Sequence, residues 1–220
     1  MIRATSQEVG INGASPHCVM QYRIARKLVA KNMAANSTYA HPVVQLLADV
    51  LDTRLYASDP HYHSVEYQQS LDDLKVRLSD VDSVIEKGEE DDDQSRCLEL
   101  TRLAGLIYLE RVSRNFSGES TRLQNWKKGA ISILASLNTY PPSFAVFIVG
   151  CETHADEERM VMLDFFTRLE QHPHLNSLLE AKGLIQTAWI QHDLGVEGEL
   201  DYIHKLNLVL SSRNVIPSFM

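Results

Sequence analysis

The sequence contains few cysteines, glycines and prolines. Its 220 residues include three cysteines, 10 glycines and 7 prolines. Cys18, Cys97 and Cys151 are widely separated and odd in number, which favours a reducing compartment over a disulfide framework. Because turns depend largely on glycine and proline, their scarcity disfavours a turn-rich β-sandwich.

The sequence shows no targeting or membrane-spanning segment. The first residues, MIRATSQEVGING, contain no apolar stretch of the kind found in signal peptides. The longest apolar run, 144–149, is far shorter than the roughly 20 residues that cross a bilayer. We therefore expect no membrane contact, and a location in the cytosol or the nucleus.

Known cofactor and catalytic motifs are missing as well. The sequence contains no GxGxxG, GxxxxGK[ST], GxSxG or HExxH. Three isolated cysteines cannot form a finger-type zinc site, and Cys151 with His154 supplies only two ligands. Two further close histidine pairs lie in predicted loops: His61 with His63, and His172 with His174. We predict no metal-ligating residue and no cofactor.

Cys151 is the one candidate nucleophile. A thiol paired with one of the nine histidines is an arrangement that nucleophilic catalysis can use. A reactive thiol needs exposure and a lowered pKa, however, whereas the apolar run before Cys151 predicts a small hydrophobe packed in the core. We predict no catalytic residue.

Positive charge is scarce relative to negative charge. The formal net charge is −8, with +2 on residues 1–60, −7 on 61–96 and −3 on 97–220. Nucleic-acid affinity depends mainly on lysine and arginine near phosphates, so we expect no direct DNA binding. Arg23, Lys27 and Lys31 form a short basic stripe, which is typical of a solvated face and less so of a phosphate or acidic-partner site.

What the sequence has is helical periodicity. Hydrophobic residues make up 44% and charged residues 23%, as in globular proteins. Apolar residues recur every three or four positions in most segments, which predicts an all-α bundle of about eight to nine helices. Predicted segments begin near Pro16 and Pro42 and then cover 71–85, 94–115, 119–138, 144–152, 153–172, 175–193 and 197–213.

The pattern divides the chain into four parts. Residues 1–16 are predicted to be a flexible N-terminus, 17–87 N-terminal helices that pack on the core, 88–93 an acidic linker, and 94–220 the C-terminal helical core. The region 71–85 has heptad-like spacing, which fits either internal packing or a dimer seam. The residues that carry this spacing are Leu71, Leu74, Leu78, Val81 and Ile85.

The segment 144–152 generates three local predictions. Its composition also fits a buried strand, but we predict a short core helix because no partner strand is found. Glu152 follows the apolar run, so we expect a buried carboxylate in an ion pair with Arg102, Arg111 or Arg159. Thr153 is predicted to cap the next helix, with Asp156 three residues on.

Three C-terminal segments resemble a known family. These segments are RLAGLIYLERV (102–112), PPSFAVFIVGCETHADEERMVMLDFF (141–166) and IQTAWIQHDL (185–194). They resemble the C-terminal half of the regulatory domain of fungal zinc-cluster transcription factors, of the second fungal-specific type. The matching positions are Arg102, Ala104, Leu106, Ile107, Tyr108, Leu109, Phe147, Ile148, Gly150, Cys151, Glu152, Glu157, Arg159, Trp189 and Asp193.

The resemblance implies an all-helical, non-catalytic domain that regulates transcription in the nucleus. Its implied partners are another transcription factor or a second copy of itself, and its implied effector is a small molecule. The six-cysteine zinc cluster and basic linker of the family are not in this sequence, so we expect no DNA recognition by this chain. The alternative is an enzyme or ligand-binding protein of a fungal biosynthetic cluster that reuses the helical scaffold.

Overall fold

The computed structural model describes residues 42–52, 55, 59–81, 93–169, 175–195 and 202–211. Within these ranges the chain forms eight α-helices and no strand, which confirms the predicted all-α bundle. The helices are α1 (Pro42–Asp52), α2 (Val65–Asp80), α3 (Asp93–Tyr108), α4 (Thr121–Ser136), α5 (Ser143–Cys151), α6 (Asp156–Arg168), α7 (Leu175–Asp193) and α8 (Tyr202–Ser211).

Several sequence-based predictions fall outside these ranges. The N-terminal segment, the helix that begins near Pro16, the basic stripe and residues 88–92 are not among the described residues. Asp93, which was assigned to the acidic linker, is the first residue of α3. The division of the chain into four parts therefore stays a prediction.

Helix α3 occupies the centre of the bundle. Its apolar residues face most directions, as predicted, and Leu100, Ala104 and Ile107 are fully buried. The helix contacts α1, α2, α4 and α5. It then continues into a single π-helical turn, Leu109–Ser113. The four surrounding helices thus share one hydrophobic core that includes α3.

The heptad-like face of α2 packs inside the chain. Leu71, Leu74 and Leu78 are all buried in the common core, and α2 contacts α1 and α3. These three leucines are therefore not available to a second copy, so a dimer seam through them is wrong. On α1 the buried face includes Val43 and Leu47, whereas Val44 is only half-buried.

Arginines from two other helices cap α4. The helix begins after Ser120, whose hydroxyl accepts from the Leu123 amide, and it ends at Ser136, two residues before the end of the predicted segment 119–138. Arg96 donates to the Ile133 and Ser136 carbonyls, and Arg168 donates to the carbonyls of Leu134 and its neighbours. These donors satisfy carbonyl groups that a helix C-terminus leaves without partners.

The apolar run 144–149 is helical, as predicted, within α5. Every residue from Ser143 to Gly150 is buried, and α5 contacts α3 and α7. The close approach to α7 depends on Gly150, because a Cβ added there would lie 2.7 Å from Cγ1 and 3.0 Å from Cγ2 of Ile185. Ile185 is β-branched and has little rotamer freedom to move away. Glycine at 150 therefore sets the distance between α5 and α7.

The predicted cap of α6 is wrong. The residue that precedes the helix is Ala155, which has no side-chain capping bond. Thr153 instead donates its hydroxyl to the Gly150 carbonyl at 2.6 Å, so it closes the end of α5. The Asp156, Glu157 and Glu158 carboxylates do lie in the first turn of α6, where the helix dipole favours negative charge.

We expect Gly150→Ala to destabilise the chain by about 1–3 kcal/mol, because the new methyl overpacks against Ile185. Urea unfolding of both proteins measures this difference. Gly105→Ala is the matched control: its added Cβ would find Leu47 and Leu78 at 3.6 Å, an ordinary contact. Since alanine also favours a helix by about 1 kcal/mol over glycine, Gly105→Ala should be neutral or stabilising.

A second substitution separates overpacking from other effects. Ile185→Val removes the Cδ1 methyl, and it should recover part of the loss in the Gly150→Ala background. Equal stability of Gly150→Ala and Gly105→Ala would show that α5 and α7 are not held at this distance.

Candidate functional site

A buried ion pair joins the end of α5 to the π-helical turn. Glu152 and Arg111 are only 2% and 3% exposed. Arg111 donates to Glu152 Oε2 from Nε at 2.9 Å and from Nη2 at 2.8 Å. The predicted burial and ion pairing of Glu152 are confirmed, and Arg111 is its partner. Burial alone would lower the pKa of Arg111, but the charge and hydrogen bonds of Glu152 raise it overall.

The Arg111 guanidinium also fixes the loop that leads to α4. It donates to the Phe116 carbonyl at 3.1 Å, the Gly118 carbonyl at 2.6 Å and the Glu119 carboxylate at 3.0 Å. With the two bonds to Glu152, all five N–H groups of the side chain are used. A fully bonded guanidinium can be buried without leaving an unsatisfied donor.

The backbone around Arg111 is irregular. Arg111 lies within the π-helical turn, a feature that often marks functional sites in helical proteins. In the following loop Asn115 has a φ of 49°, in the left-handed region that non-glycine residues seldom adopt. Both departures occur within four residues of Arg111, so the local backbone is shaped to place this side chain.

The other two arginines that were considered as partners of Glu152 have different carboxylates. Arg102 binds Glu99 at 2.6 Å and 2.7 Å. Arg159 binds Asp193 through two parallel bonds of 2.7 Å and 2.8 Å. These bonds hold the pKa of Asp193 below its ordinary value. The bidentate pair links the first turn of α6 to the end of α7.

Trp189 connects the remaining motif residues. Its indole N–H donates to the Gly150 carbonyl at 3.0 Å and to the Thr153 hydroxyl at 2.9 Å. The Arg159 guanidinium lies over the Trp189 ring, 5.4 Å from its centroid. Residues from two of the three segments that resemble the fungal family therefore meet around the end of α5, and Arg111 belongs to the third.

A cavity of about 250 Å³ opens beside this network. Its inner wall includes Arg111, Glu152 and Tyr202, and an apolar wall is formed by Ala188, Leu206 and Val209. The lining of the cavity comes from the π-helical turn, the end of α5, α7 and α8. The other polar residues of the lining are more accessible to solvent: Ser117 and Glu119 are exposed, and His154, His192 and Lys205 are half-buried.

The phenol of Tyr202 is the unusual group in this cavity. Its ring lies against the Arg111 guanidinium, 5.6 Å from the Cζ atom. Its oxygen is buried and makes no hydrogen bond of ordinary geometry with the described residues, but Glu152 is near enough to accept a weak hydrogen bond from it. Burial, and then the nearby charge of Glu152, raise the pKa of Tyr202 well above its ordinary value. The phenol therefore stays a neutral O–H donor at any physiological pH.

Cys151 also lines the cavity. It is half-buried and packs against the core on one side, so the prediction of a core cysteine is only partly right. It lies in the last position of α5, next to Glu152, where the helix dipole and the carboxylate both disfavour a thiolate. This position does not suit a nucleophile.

The two histidines at the cavity stack on each other. The rings of His154 and His192 are 4.2 Å apart and 9° from parallel. Parallel stacking directs the ring nitrogens along two separate planes, which does not converge them on a shared ion. Among the described residues no three side chains of the metal-ligating types come together. His61 and His63, which are distant in sequence from the residues of the cavity, lie in a loop, as predicted.

Sequence reasoning identified part of this site. It singled out Cys151, Glu152 and His154 but missed Tyr202 and Lys205. Both lie in α8, where the pattern showed only an apolar face of Ile203, Leu206 and Leu210, and these three are buried. No local signal distinguishes a tyrosine at a cavity from one at the edge of a core.

A second concave surface lies between α1 and α2. Four of the eight residues that line this open groove of about 590 Å³ carry carboxylates, and Arg77 bonds to Asp49 across it at 3.3 Å. The acidic residues are Asp49, Asp52, Glu66 and Asp73. Such a surface repels phosphate groups.

Removal of the Glu152 carboxylate should destabilise the chain strongly. We expect Glu152→Ala to lower the free energy of unfolding by about 3–5 kcal/mol, because Arg111 would remain buried without its counter-charge. Glu152→Gln keeps an acceptor and should lose less. Thermal and urea unfolding measure both.

Glu119→Ala provides the comparison for this effect. Its side chain is 53% exposed although it binds the same guanidinium, so its loss should cost no more than about 1 kcal/mol. If both Glu152 variants unfold at the wild-type temperature, Arg111 does not depend on this carboxylate.

The raised pKa of Tyr202 predicts that the folded chain loses stability at alkaline pH. The folded chain holds the phenol proton more tightly than the unfolded chain, whose pKa is about 10. Stability is therefore complete below about pH 10 and falls as pH rises beyond it, since only the unfolded state releases this proton. We expect Tyr202→Phe to lose less stability than wild type between about pH 8 and about pH 11.

Urea unfolding at several pH values tests the tyrosine effect. Tyr140→Phe, which removes a hydroxyl bonded to Ser177 outside the cavity, should keep the wild-type pH dependence. Identical alkaline losses in wild type and Tyr202→Phe would argue against a buried phenol that resists ionisation.

None of the helices in the described ranges combines the length and the apolar character that crossing a membrane requires.

Comparison with known proteins gives two matches. The model of the fungal specific transcription factor domain matches residues 39–211, a range that includes every residue named at the cavity. A transcription factor, iacI, from Pestalotiopsis fici is 31% identical over 147 residues, or 67% of this chain and 38% of that protein. The chain thus spans well under half the length of this curated relative. No solved structure matches.

These matches confirm the resemblance that the three C-terminal segments indicated. The matched range extends beyond those segments to α1 and α2 at one end and to α8 at the other. Because the family model covers most of the chain, the chain belongs to the fungal specific transcription factor domain family.

Proposed function

We propose that this chain is a non-catalytic transcription-regulatory domain that responds to a small molecule bound in the cavity beside Arg111 and Glu152. One observation supports the proposal above others. The cavity of about 250 Å³ combines an apolar wall with a few converging polar groups, and these are Arg111, Glu152 and Tyr202. Binding sites for small molecules have this composition, in which the polar groups fix the orientation of the ligand.

The position of the cavity fits a regulatory role. Its walls come from four separate elements, so a ligand that touches them all favours one relative arrangement of those elements. Arg111 extends this coupling, since it also bonds to the loop before α4. A change at the cavity can thereby alter the outer surface of the domain.

The charge of the chain supports regulation without direct DNA contact. Its formal net charge is −8, and the groove between α1 and α2 is acidic. Any DNA contact by a protein that contains this domain is therefore assigned to other residues. Action in the nucleus and contact with another regulatory protein belong to the same proposal, and the family assignment supports both.

An enzyme is the second candidate, because the cavity brings Cys151, two histidines and Tyr202 together. The environment of Cys151 speaks against it: the thiol lies at a helix C-terminus beside a carboxylate. The rings of His154 and His192 also stack on each other, which restricts how either ring can turn towards the thiol. An enzyme would convert a cavity ligand, whereas a regulatory domain would release it unchanged.

A reporter assay tests the proposal with a cavity-filling variant. The full chain, fused to an unrelated DNA-binding module, should change reporter output in a fungal host relative to the module alone. Ala188→Leu adds three carbons to the apolar wall of the cavity. We expect it to abolish most of the response to added culture extract, because the ligand no longer fits.

Ala135→Leu is the control, since it makes the same change on the exposed surface of α4. It should respond like wild type. Equal responses from Ala188→Leu and Ala135→Leu would exclude the cavity as the regulatory site. Retardation of duplex DNA by the purified, unfused chain would contradict the absence of DNA binding.

A further inference from the structure

We infer that the groove between α1 and α2 is a docking surface for a basic segment of this chain, residues 17–34, which lie outside the described residues. The groove lies within the range that the family model matches, and the segment precedes that range. This inference goes beyond the proposed function, because it concerns a surface other than the cavity. Charge, exposed apolar residues and the length of the connecting chain each contribute to it.

The groove carries an excess of negative charge. Its charged lining residues are four carboxylates and one guanidinium, that of Arg77, which is bonded to Asp49. The remaining carboxylates, those of Asp52, Glu66 and Asp73, are exposed and form no ion pair with another described residue. Like charges on one concave surface repel one another, and a cationic segment in the groove would relieve this repulsion.

The segment 17–34 has the opposite charge. It contains four basic residues, Arg23, Arg26, Lys27 and Lys31, and neither aspartate nor glutamate. Three of them recur every four residues, so on the predicted helix they form a stripe about 12 Å long. On α2 the lining positions 66 and 73 are about 10 Å apart along the helix. The two charge patterns therefore extend over similar lengths.

The edge of the groove also has an apolar part. Val65 and Val76 are 76% and 57% exposed, and about three helical turns separate them, so both lie on the same side of α2. Each is next in sequence to a lining residue of the groove. The segment has apolar residues at helical spacing beside its basic stripe: Cys18, Tyr22, Ala25, Val29 and Met33. An amphipathic helix of this composition can cover the two valines while its cations face the carboxylates.

The connection between the segment and α1 has a suitable length. Residues 35–41 join the segment to the start of α1. In a helix antiparallel to α1, Lys27 lies about 10 Å from the end of the segment, and Asp49 lies about 10 Å from the start of α1. Arg23 and Asp52 correspond in the same way, at about 16 Å and about 15 Å. The short connection also raises the effective concentration of the segment at the groove above that of a peptide from another molecule.

Hydrogen exchange of the full chain, measured by mass spectrometry, tests the docking. The double variant Asp52→Asn/Asp73→Asn removes two carboxylates of the groove. We expect the backbone amides of 17–34 to exchange about fivefold faster in this variant than in wild type, the effect of exposed ion pairs. Asp72→Asn/Asp80→Asn is the matched control, because it makes the same charge change at exposed positions of α2 outside the groove. It should leave the exchange of 17–34 at the wild-type rate.

A charge exchange tests the pairing of the two surfaces. Arg23→Glu should also accelerate the exchange of 17–34 by about fivefold, and Asp52→Arg in the same chain should restore part of the protection. In wild type, a rise in salt from about 0.1 M to about 1 M should accelerate the exchange of this segment, because it shortens the screening length from about 10 Å to about 3 Å. If a charge variant does not fold, the salt series on the wild-type chain still decides.

Three outcomes would overturn the inference: Asp52→Asn/Asp73→Asn leaves the exchange of 17–34 unchanged, both double variants accelerate it equally, or the protection of 17–34 disappears when the protein is diluted. The last outcome would assign the groove to the segment of a second copy, since docking within one chain does not depend on concentration. The proposed function fails separately, when Ala188→Leu and Ala135→Leu respond alike in the reporter assay.

Discussion

The ion pair between Arg111 and Glu152 is the interaction on which the C-terminal helices of the described bundle depend. Both side chains are nearly excluded from water, and every N–H group of the guanidinium has an acceptor. A charge in such a place is tolerated only when its bonding is complete. The pair therefore ties the end of α5, the π-helical turn and the loop before α4 into one unit, and it forms the inner wall of the cavity.

Close packing supports this polar centre from the opposite side. Because Gly150 has no side chain, α7 lies so close to α5 that a methyl group at this position would overlap Ile185. At this short distance the Trp189 indole N–H can donate to the Gly150 carbonyl and the Thr153 hydroxyl. Glycine, tryptophan and glutamate thus have complementary roles at one helix end. This arrangement gives a physical reason for the family motif, because its separated segments meet here in space.

Much of the fold follows from the sequence, because apolar periodicity specifies which helix faces are buried. The helical state of 144–149 and the burial of Glu152 were predictable, since the sequence pattern offered no partner strand and a carboxylate follows an apolar run. The partner of Glu152 was not predictable, because three arginines had similar local settings and only the tertiary fold selects Arg111. The role of Thr153 as the cap of α6 was wrong for a related reason: its hydroxyl donates to the Gly150 carbonyl, three residues earlier in the chain. Tyr202 gave no local signal, because its role depends on helices distant in sequence.

The π-helical turn carries a consequence for how such a site can arise or vanish. Such a turn holds one residue more than an α-helical turn of the same length, and each residue rotates the helix by about 100°. A deletion of one residue within 109–113 would restore a regular α-helix and would rotate the guanidinium of Arg111 away from Glu152. The helices before it would keep their packing. The gain or loss of one codon in this turn would therefore convert a regular helical bundle into one with a polar cavity in its interior, or the reverse.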